Sequence, residues 1–301
     1  TSTFSVRVKD NSHFPSTPAA PTVHYTNKAL DFDGSNDYVA TASNISALDI
    51  TDNITIASWV NISSITGSWA RIIGKGASGQ RTYGLWLHTS GKLLWQIRGS
   101  SGTKDLWSNS TLPNSTWVHI VATRSGNTQT IYVNGVADGT KTDFSGTPNS
   151  SSEPLTFGYG FYSHFSGKLD EVAVWDKGLS AAEITTLYNS GGGLDASSNS
   201  GNYNSANNLV GYWKMDDGSG TSLTDSSSNS NTATMSNMSD ADWVASGVLI
   251  SAPESVDVAL HNLDNDTVVT VAVSSSDTGE ATVSSATLTF TEANWNTAQT
   301  V

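Results

Sequence analysis

Short stretches in which apolar and polar residues alternate recur through most of this chain. Ile54–Asn61 and Trp117–Thr123 are examples, and turn signals such as Asp33-Gly34 separate one stretch from the next. Alternation with a period of two is typical of half-buried β-strands. Many short strands at close spacing between residues 29 and 175 predict an all-β sandwich or barrel with one large core.

One segment has a helical period instead. Ser180 followed by Glu183 forms a capping-box signature, and Ile184 and Leu187 continue at helical spacing until the glycines that begin at Gly191. The pattern predicts a single short helix near the end of the strand series.

Both ends of the chain differ from this middle part. Phe4, Val6 and Val8 alternate with polar residues and predict one strand, which a proline-rich linker follows. New alternating runs after residue 248 predict a small second β-module. The expected organisation is a strand and linker at 1–28, a sandwich at 29–247 with a core at 29–190 and an extension at 191–247, and a partial module at 248–301.

Composition limits the classes of function. The chain has 27 acidic against 14 basic residues and a net charge of −13. Such a surface repels polyanions, so we expect no nucleic-acid partner. No apolar run approaches the ~18–20 residues of a membrane span, so no membrane insertion is expected either. The sequence has no cysteine, which excludes disulfides, thiolate metal sites and cysteine nucleophiles.

Five motifs together point to a family. They are ALDFDGSNDYV at 29–39, ITIASWVNI at 54–62, TWVHIVATR at 116–124, IYVNGV at 131–136 and GKLDEVAVWDKGLSAAEITTLYN at 167–189. In order and spacing they resemble the laminin-G-like, concanavalin-A-like jelly-roll domains of bacterial and phage surface proteins. The resemblance implies a jelly-roll sandwich with one short helix.

Two further segments have resemblances of their own. Residues 208–235 also look like this family, and they either complete the first sandwich or open a second one. We favour completion, because no second FDGSNDYV-like motif follows. Residues 255–301 resemble a partial Ig-like or Calx-β-like adhesin repeat, and residues 4–10 resemble the last strand of an Ig-like or cadherin-like module.

The sequence contains no pattern that predicts catalysis. There is no Gly-x-Ser-x-Gly elbow and no His-Glu-x-x-His motif. Asp170 and Glu171 are adjacent carboxyls, and adjacent residues of a strand point to opposite faces. They do not form the same-face pair that a glycoside hydrolase needs, so we expect no enzyme activity.

Calcium is the one cofactor that the sequence favours. A hard cation takes six to eight oxygen ligands, and acidic loop residues with exposed carbonyls supply them. The similar jelly rolls often hold a structural Ca²⁺ between their first and last strands, which implies a site here. The alternative is that these are solvated turn aspartates. The candidate ligands are Asp170, Asp216, Asp217 and Asp225.

Aromatic residues near predicted loops are candidates for ligand binding. Sugar rings stack their C–H faces on aromatic planes, and exposed aromatic clusters are costly unless they meet a partner. Trp69 and Trp107 lie near loop ends, and a dense aromatic stretch precedes the strand at Gly167. The candidates are Trp69, Trp107, Tyr159, Phe161, Tyr162, His164 and Phe165.

The function that fits these observations is a non-enzymatic, extracellular adhesion or glycan-binding module of a large surface protein. Its expected partner is a glycan or a cell-surface protein. The alternative is a structural subunit of an extracellular filament or a phage fibre, placed on a virion. In that case Phe4, Val6 and Val8 of one copy complete the open last module of the next copy. An enzyme accessory domain and a fragment cut from a longer polypeptide also stay open.

Overall fold

The computed structural model describes residues 4–8, 27–65, 67–77, 81–159, 163–248, 250, 257–258, 269–275, 287–291 and 299–300. The chain divides into two compact units. One comprises Thr26–Ile250, and the other combines Thr1–Tyr25 with Ser251–Val301.

The secondary structure is mostly β. The strands are β1 (Phe4–Val8), β2 (Lys28–Asp33), β3 (Tyr38–Thr41), β4 (Ile54–Ile62), β5 (Ala70–Lys75), β6 (Tyr83–Leu87), β7 (Leu93–Gly99), β8 (Gly102–Trp107), β9 (Trp117–Ser125), β10 (Thr128–Val133), β11 (Val136–Thr142), β12 (Leu155–Phe157), β13 (Ser166–Trp175), β14 (Leu209–Trp213), β15 (Ser222–Leu223), β16 (Ala233–Ser236), β17 (Trp243–Ala245), β18 (Asp257–Val258), β19 (Val269–Ser275), β20 (Thr287–Phe290) and β21 (Gln299–Thr300). The α-helix is α1 (Ala181–Tyr188), and short 3-10 turns occur at Ser46–Leu48, Asn189–Gly191, Ala206–Asn208 and Asp240–Asp242.

Two antiparallel sheets form the sandwich of the larger unit. The first has the order β11-β10-β9-β4-β13-β2-β17, with β14 also paired to β13. The second has the order β15-β16-β3-β12-β5-β6-β7-β8. Both sheets contribute to one buried apolar core, and β4 and β13 alternate between this core and the opposite face. The predicted jelly-roll sandwich with one short helix is confirmed.

The segment after the helix belongs to this sandwich. β14 pairs with β13, β16 with β3, and β17 with β2. These pairs put late strands into both sheets, so residues 209–245 complete the first sandwich and do not begin another.

The helix packs on the outer side of the first sheet. Ser180 caps it, because its side chain accepts the Glu183 N–H while the Glu183 carboxylate accepts the Ser180 N–H. Ile184 and Leu187 are buried in a second apolar cluster that also contains Trp175. The predicted capping box is confirmed.

The strand at the beginning of the chain has a partner in its own chain. β1 runs antiparallel to β19, with Phe4 opposite Ser275 and Val6 opposite Val273. The expectation that the strand of Phe4, Val6 and Val8 lacks such a partner is therefore wrong. Within one chain, β1 occupies the edge of β19, and exchange of this strand between copies stays a prediction.

Candidate functional site

The register of the second sheet places a row of large side chains on its outer face. Arg71, Trp86, Leu94 and Trp107 stand opposite one another in β5, β6, β7 and β8. Neighbouring residues of these strands, such as Leu85, lie in the core. Because successive residues of a strand point to opposite faces, the row with Trp86 and Trp107 faces away from the core.

Three aromatic rings meet at one end of this face. The ring centroids of Trp69 and His88 are 4.7 Å apart, those of Trp69 and Trp107 5.7 Å, and those of His88 and Trp107 5.3 Å. Trp107 remains 37% exposed, which is high for so large an apolar side chain. We call Trp69, His88 and Trp107 the aromatic cluster. The structure thus joins two predicted ligand residues to a histidine that the sequence did not single out.

The backbone of the aromatic cluster is strained at Trp69. This residue has φ of 68°, a left-handed conformation that bulky side chains rarely adopt. Such strain costs on the order of 1–3 kcal/mol and is concentrated at functional sites. A neighbouring loop supports the position, because Ser163 bridges Ala70 and donates a 2.9 Å hydrogen bond to the Ser68 carbonyl.

The ring of His88 is held in one orientation by Ser90. Its Nδ1 accepts the Ser90 N–H at 3.2 Å and lies 2.9 Å from the Ser90 hydroxyl oxygen. Because Nδ1 is an acceptor in this arrangement, the neutral ring carries its proton on Nε2. The aromatic cluster therefore combines stacking surface with a ring N–H donor.

A second aromatic group lies on the loop beside Trp69. Tyr159 contacts Tyr38 and His164, with centroid distances of 5.3 and 5.5 Å. His164 follows Ser163, which bridges Ala70 directly after Trp69. This loop therefore brings Tyr159 and His164 next to the aromatic cluster, although their ring contacts in the described part of the chain are with each other and with Tyr38.

The other residues of the predicted aromatic stretch have different outcomes. Phe165 is fully buried and makes an edge contact with Phe32 at 6.1 Å. Its prediction as a ligand residue is wrong, because it is part of the core. Phe161 and Tyr162 lie outside the described residues.

The carboxyl of Asp170 lies buried at an irregularity of β13. The pairing of β13 with β4 shifts register between Asp170 and Ala173, and Glu171 has φ of 53°. One oxygen of Asp170, Oδ2, accepts the Ser246 hydroxyl at 2.5 Å. The other, Oδ1, is buried with no hydrogen-bond partner among the described residues. Burial, with the charge of Asp216 adding to it, raises the pKa of Asp170 well above its usual value.

Further oxygen atoms gather around Asp170. Asp216 Oδ1 accepts the Lys28 N–H at 2.8 Å, and Ser246, which binds Asp170, also donates its N–H to the Asn27 carbonyl at 2.9 Å. The side-chain oxygen of Asn27 is a second buried acceptor for which the described residues supply no donor. Ser246 thus links the residue before β2 to the bulge of β13, and each of the two carries a buried oxygen that has no donor among the described residues.

Two of the predicted metal ligands are engaged elsewhere. Asp225 accepts the N–H groups of Tyr212 and Asn231 at 2.8 and 2.6 Å. Asp217 accepts the Thr224 hydroxyl at 2.5 Å. Both carboxylates organise their own loop, and the described part of the chain has no group of three His, Asp or Glu side chains placed to hold a metal ion. Asp170, Asp216 and the Asn27 amide oxygen are the combination that fits a hard cation, which prefers mixed oxygen ligands.

The adjacent carboxyls of β13 are both buried and have different hydrogen-bond partners. Asp170 bonds to Ser246, whereas Glu171 accepts the Tyr212 hydroxyl in a small cavity beneath α1. Burial raises the pKa of Glu171 well above its usual value, with the charge of Asp170 adding to it. Both groups are buried. Asp170 is paired opposite Trp59, which lines the cavity of Glu171, so the bulge puts both carboxyls on the outer face of the first sheet and the expectation of opposite faces is wrong.

Comparisons with known proteins agree with this architecture. The laminin G-like model of the concanavalin A-like lectin/glucanases superfamily matches residues 33–185. Among solved structures, a putative carbohydrate binding protein from Bacteroides ovatus is 18% identical with a TM-score of 0.57, and the match covers 76% of this chain and 63% of that protein. A CBM40 of Ruminococcus gnavus IT-sialidase, bound to α2,3 sialyllactose, is 13% identical with a TM-score of 0.46, over 54% of this chain and 96% of that one.

A comparison with curated proteins gives no match. No helix in the described part of the chain has the length and apolar character needed to cross a membrane. The family match covers half of the chain and lies within the sandwich described above. The chain belongs to the concanavalin A-like lectin/glucanases superfamily.

Proposed function

We propose that this protein is a non-enzymatic, extracellular carbohydrate-binding module, and that the aromatic cluster is its sugar platform. The observation that carries the proposal is the partly exposed Trp107, packed against Trp69 and His88 on the outer face of the second sheet. Indole rings offer a flat apolar surface for the C–H face of a sugar, and ring N–H groups donate to hydroxyls.

The cost of building this cluster supports a binding role. An exposed indole loses the free energy that burial would give, and the left-handed Trp69 adds backbone strain. Neither feature is needed for the sandwich core, which lies on the other face of the same strands. A ligand that stacks on these rings would bury the exposed indole, and it would explain why the strained backbone at Trp69 is kept.

The comparisons support the same proposal. The Bacteroides ovatus structure has the fold and is described as a putative carbohydrate binding protein. At 18% identity its likeness establishes the fold alone, so the aromatic cluster of this chain carries the functional argument. Asp170 and Glu171 are buried and bonded to Ser246 and Tyr212 instead of standing exposed on a concave face, which favours binding without hydrolysis.

A glycan array and calorimetry test the proposal directly. The full chain should bind one or more glycans, and Trp107→Ala should weaken binding at least tenfold. Val136→Ala is the matched control, because Val136 is also an exposed apolar residue, at 69%, but belongs to β11 of the first sheet. Equal binding by the Trp107→Ala variant and the intact chain would refute the assignment of the platform.

We also propose a structural Ca²⁺ at Asp170, Asp216 and Asn27. Two buried oxygens support it, one on Asp170 and one on Asn27, for which the part of the chain that the structure describes supplies no donor. A bound cation would favour the ionised form of Asp170 and compensate its burial. It would also join the start of β2 to the end of the sandwich, which is a stabilising role and not a catalytic one.

A further inference from the structure

The outer face of the second sheet carries a concentration of arginine. Three of the five arginines in the sequence lie there. Arg71 belongs to β5 and Arg98 to β7, and both alternate with core residues. Arg81 precedes β6, and the Arg98 N–H donates to the carbonyl of the adjacent Thr82 at 3.1 Å. The face is therefore positive in a chain whose net charge is −13.

Two of these arginines share one indole ring. The guanidinium carbon of Arg71 lies 4.6 Å from the Trp86 ring centroid, and that of Arg81 lies 5.6 Å from it. Arg71 is buried, and its guanidinium donates to the carbonyls of Gly74 and Gly76 at 3.4 and 3.1 Å. Its position is thus fixed by the sheet. Burial and the charge of Arg81 lower the pKa of Arg71 to about 9.

Arg81 differs from Arg71 because it is only partly buried. Its Nε is enclosed but has no hydrogen-bond partner among the described residues. The ion pairs in the described part of the chain join lysines to carboxylates, and none includes an arginine. The acidic residue on this face, Asp105, accepts a 2.8 Å hydrogen bond from Gln96 instead. Within the described part of the chain, no carboxylate therefore pairs with the positive charge of Arg81.

The arginines lie close to the proposed sugar platform. Trp86 and Trp107 belong to the same row and are separated by Leu94 on β7. Two strand spacings amount to roughly 10 Å. A disaccharide that stacks on the aromatic cluster can reach the guanidinium beside Trp86.

We propose that the glycan bound by this module is acidic, and that Arg81, with Arg71 behind it, binds a carboxylate or sulfate group while a neighbouring sugar stacks on the aromatic cluster. The inference rests on the proposed function and adds the substrate class. The planar guanidinium fork matches the paired oxygens of both anions, and charge-assisted hydrogen bonds are the strong ones.

The test is calorimetry of the full chain with four polysaccharides. They are polygalacturonate, its methyl ester, dextran sulfate and dextran. We expect at least one acidic polymer to bind more than tenfold better than its neutral counterpart, and the better of the two identifies carboxylate or sulfate as the group recognised. Arg81→Gln should weaken that binding about tenfold or more. Lys168→Gln, which removes one positive charge from the first sheet, should leave it unchanged.

The outcomes separate this inference from the proposed function. If the neutral polymers bind as well as the acidic ones, and Trp107→Ala weakens binding while Arg81→Gln does not, the platform stands and the acidic specificity fails. If Lys168→Gln weakens binding as much as Arg81→Gln, the attraction is non-specific and the inference is overturned. Loss of acidic-polymer binding in both Arg81→Gln and Trp107→Ala, with Lys168→Gln intact, supports it.

Discussion

Acid should destabilise the sandwich in part through the carboxyl of Glu183 at the start of α1. Its side chain is only 6% exposed and accepts hydrogen bonds from Ser180 at 2.8 and 2.9 Å, from Lys177 at 3.2 Å and from the Ser205 hydroxyl. Burial alone would raise the pKa of Glu183. The hydrogen bonds from Ser205, Ser180 and Lys177 outweigh it and lower this pKa from 4.5 to about 2.

The sign and size of the Glu183 contribution to the free energy of unfolding follow from the linkage between proton binding and folding. A carboxyl whose pKa is lower in the folded state stabilises that state above its unfolded pKa, and the contribution disappears as the pH falls from 4.5 towards 2. The difference between the unfolded pKa of 4.5 and the folded pKa of about 2 stabilises the folded state by ~3 kcal/mol at pH 7 and by about 1.4 kcal/mol at pH 3. These figures are ceilings, because the Lys177 side chain is partly solvated and screened.

Urea denaturation of the intact chain and of Glu183→Gln, at pH 7 and pH 3, measures this contribution. The amide keeps the shape of the side chain but removes the charge. The variant should therefore be less stable at pH 7, and the gap should shrink by at least half at pH 3. Glu153→Gln, at an exposed position, is the control and should show little difference at either pH. A gap that stays the same at both pH values would refute the charge-based explanation.

Three further predictions concern the sandwich. EDTA should lower the melting temperature of the intact chain but not of Asp170→Asn, since a ligand at a hundred times its Kd adds about 2.7 kcal/mol of stability; equal sensitivity of both proteins would refute the proposed calcium site. Deleting residues 205–248 should leave strand edges unpaired in both sheets and cause aggregation on gel filtration, so a soluble variant with an unchanged melting temperature would contradict the pairing. Gly158→Ala should cost more than ~3 kcal/mol in denaturation, because φ is +74° and the new Cβ would lie 2.5 Å from the buried ring of Phe32. Gly126→Ala has the same left-handed strain but open space, and should cost only about 1–2 kcal/mol; equal losses would rule out the clash.

Local patterns predicted the elements of the sandwich well. The alternation in β4 and β9 reflects two faces that are buried against different layers, and the capping box at Ser180 depends only on residues within one turn. Both signals are contained in neighbouring residues, so a single sequence is enough to find them.

The aromatic cluster depends on the order and register of strands in the second sheet, which cannot be seen in the sequence. Trp69, His88 and Trp107 come from the ends of three strands, and the order of strands in the sheet brings them together. Because His88 directly follows the core-facing Leu87, alternation alone could have predicted that His88 lies on the outer face. It could not have predicted that His88 lies beside Trp69. For Phe165 the sequence predicted too much exposure. Its aromatic neighbours suggested an exposed loop, whereas its contact with Phe32 puts it in the core.

The predicted metal ligands also depend on contacts that the local sequence does not show. Asp217 and Asp225 lie in a loop whose composition suits calcium, yet their carboxylates satisfy local N–H and hydroxyl groups. Asn27 precedes the first strand of the sandwich and becomes a candidate only because Ser246 binds both it and Asp170.

The pairing of β2 with β17 affects the order in which the chain can fold. β1 and β19 belong to one sheet, yet the whole sandwich separates them in the sequence. In an unfolded chain, their pairing would close a loop of more than 250 residues. Once the sandwich forms, Lys28 and Ala245 are neighbours, and the remaining loop shortens to roughly 40 residues, which reduces the closure cost by about 1–2 kcal/mol. The sandwich therefore acts as a folding template for the smaller unit, and destabilising it should delay that unit as well.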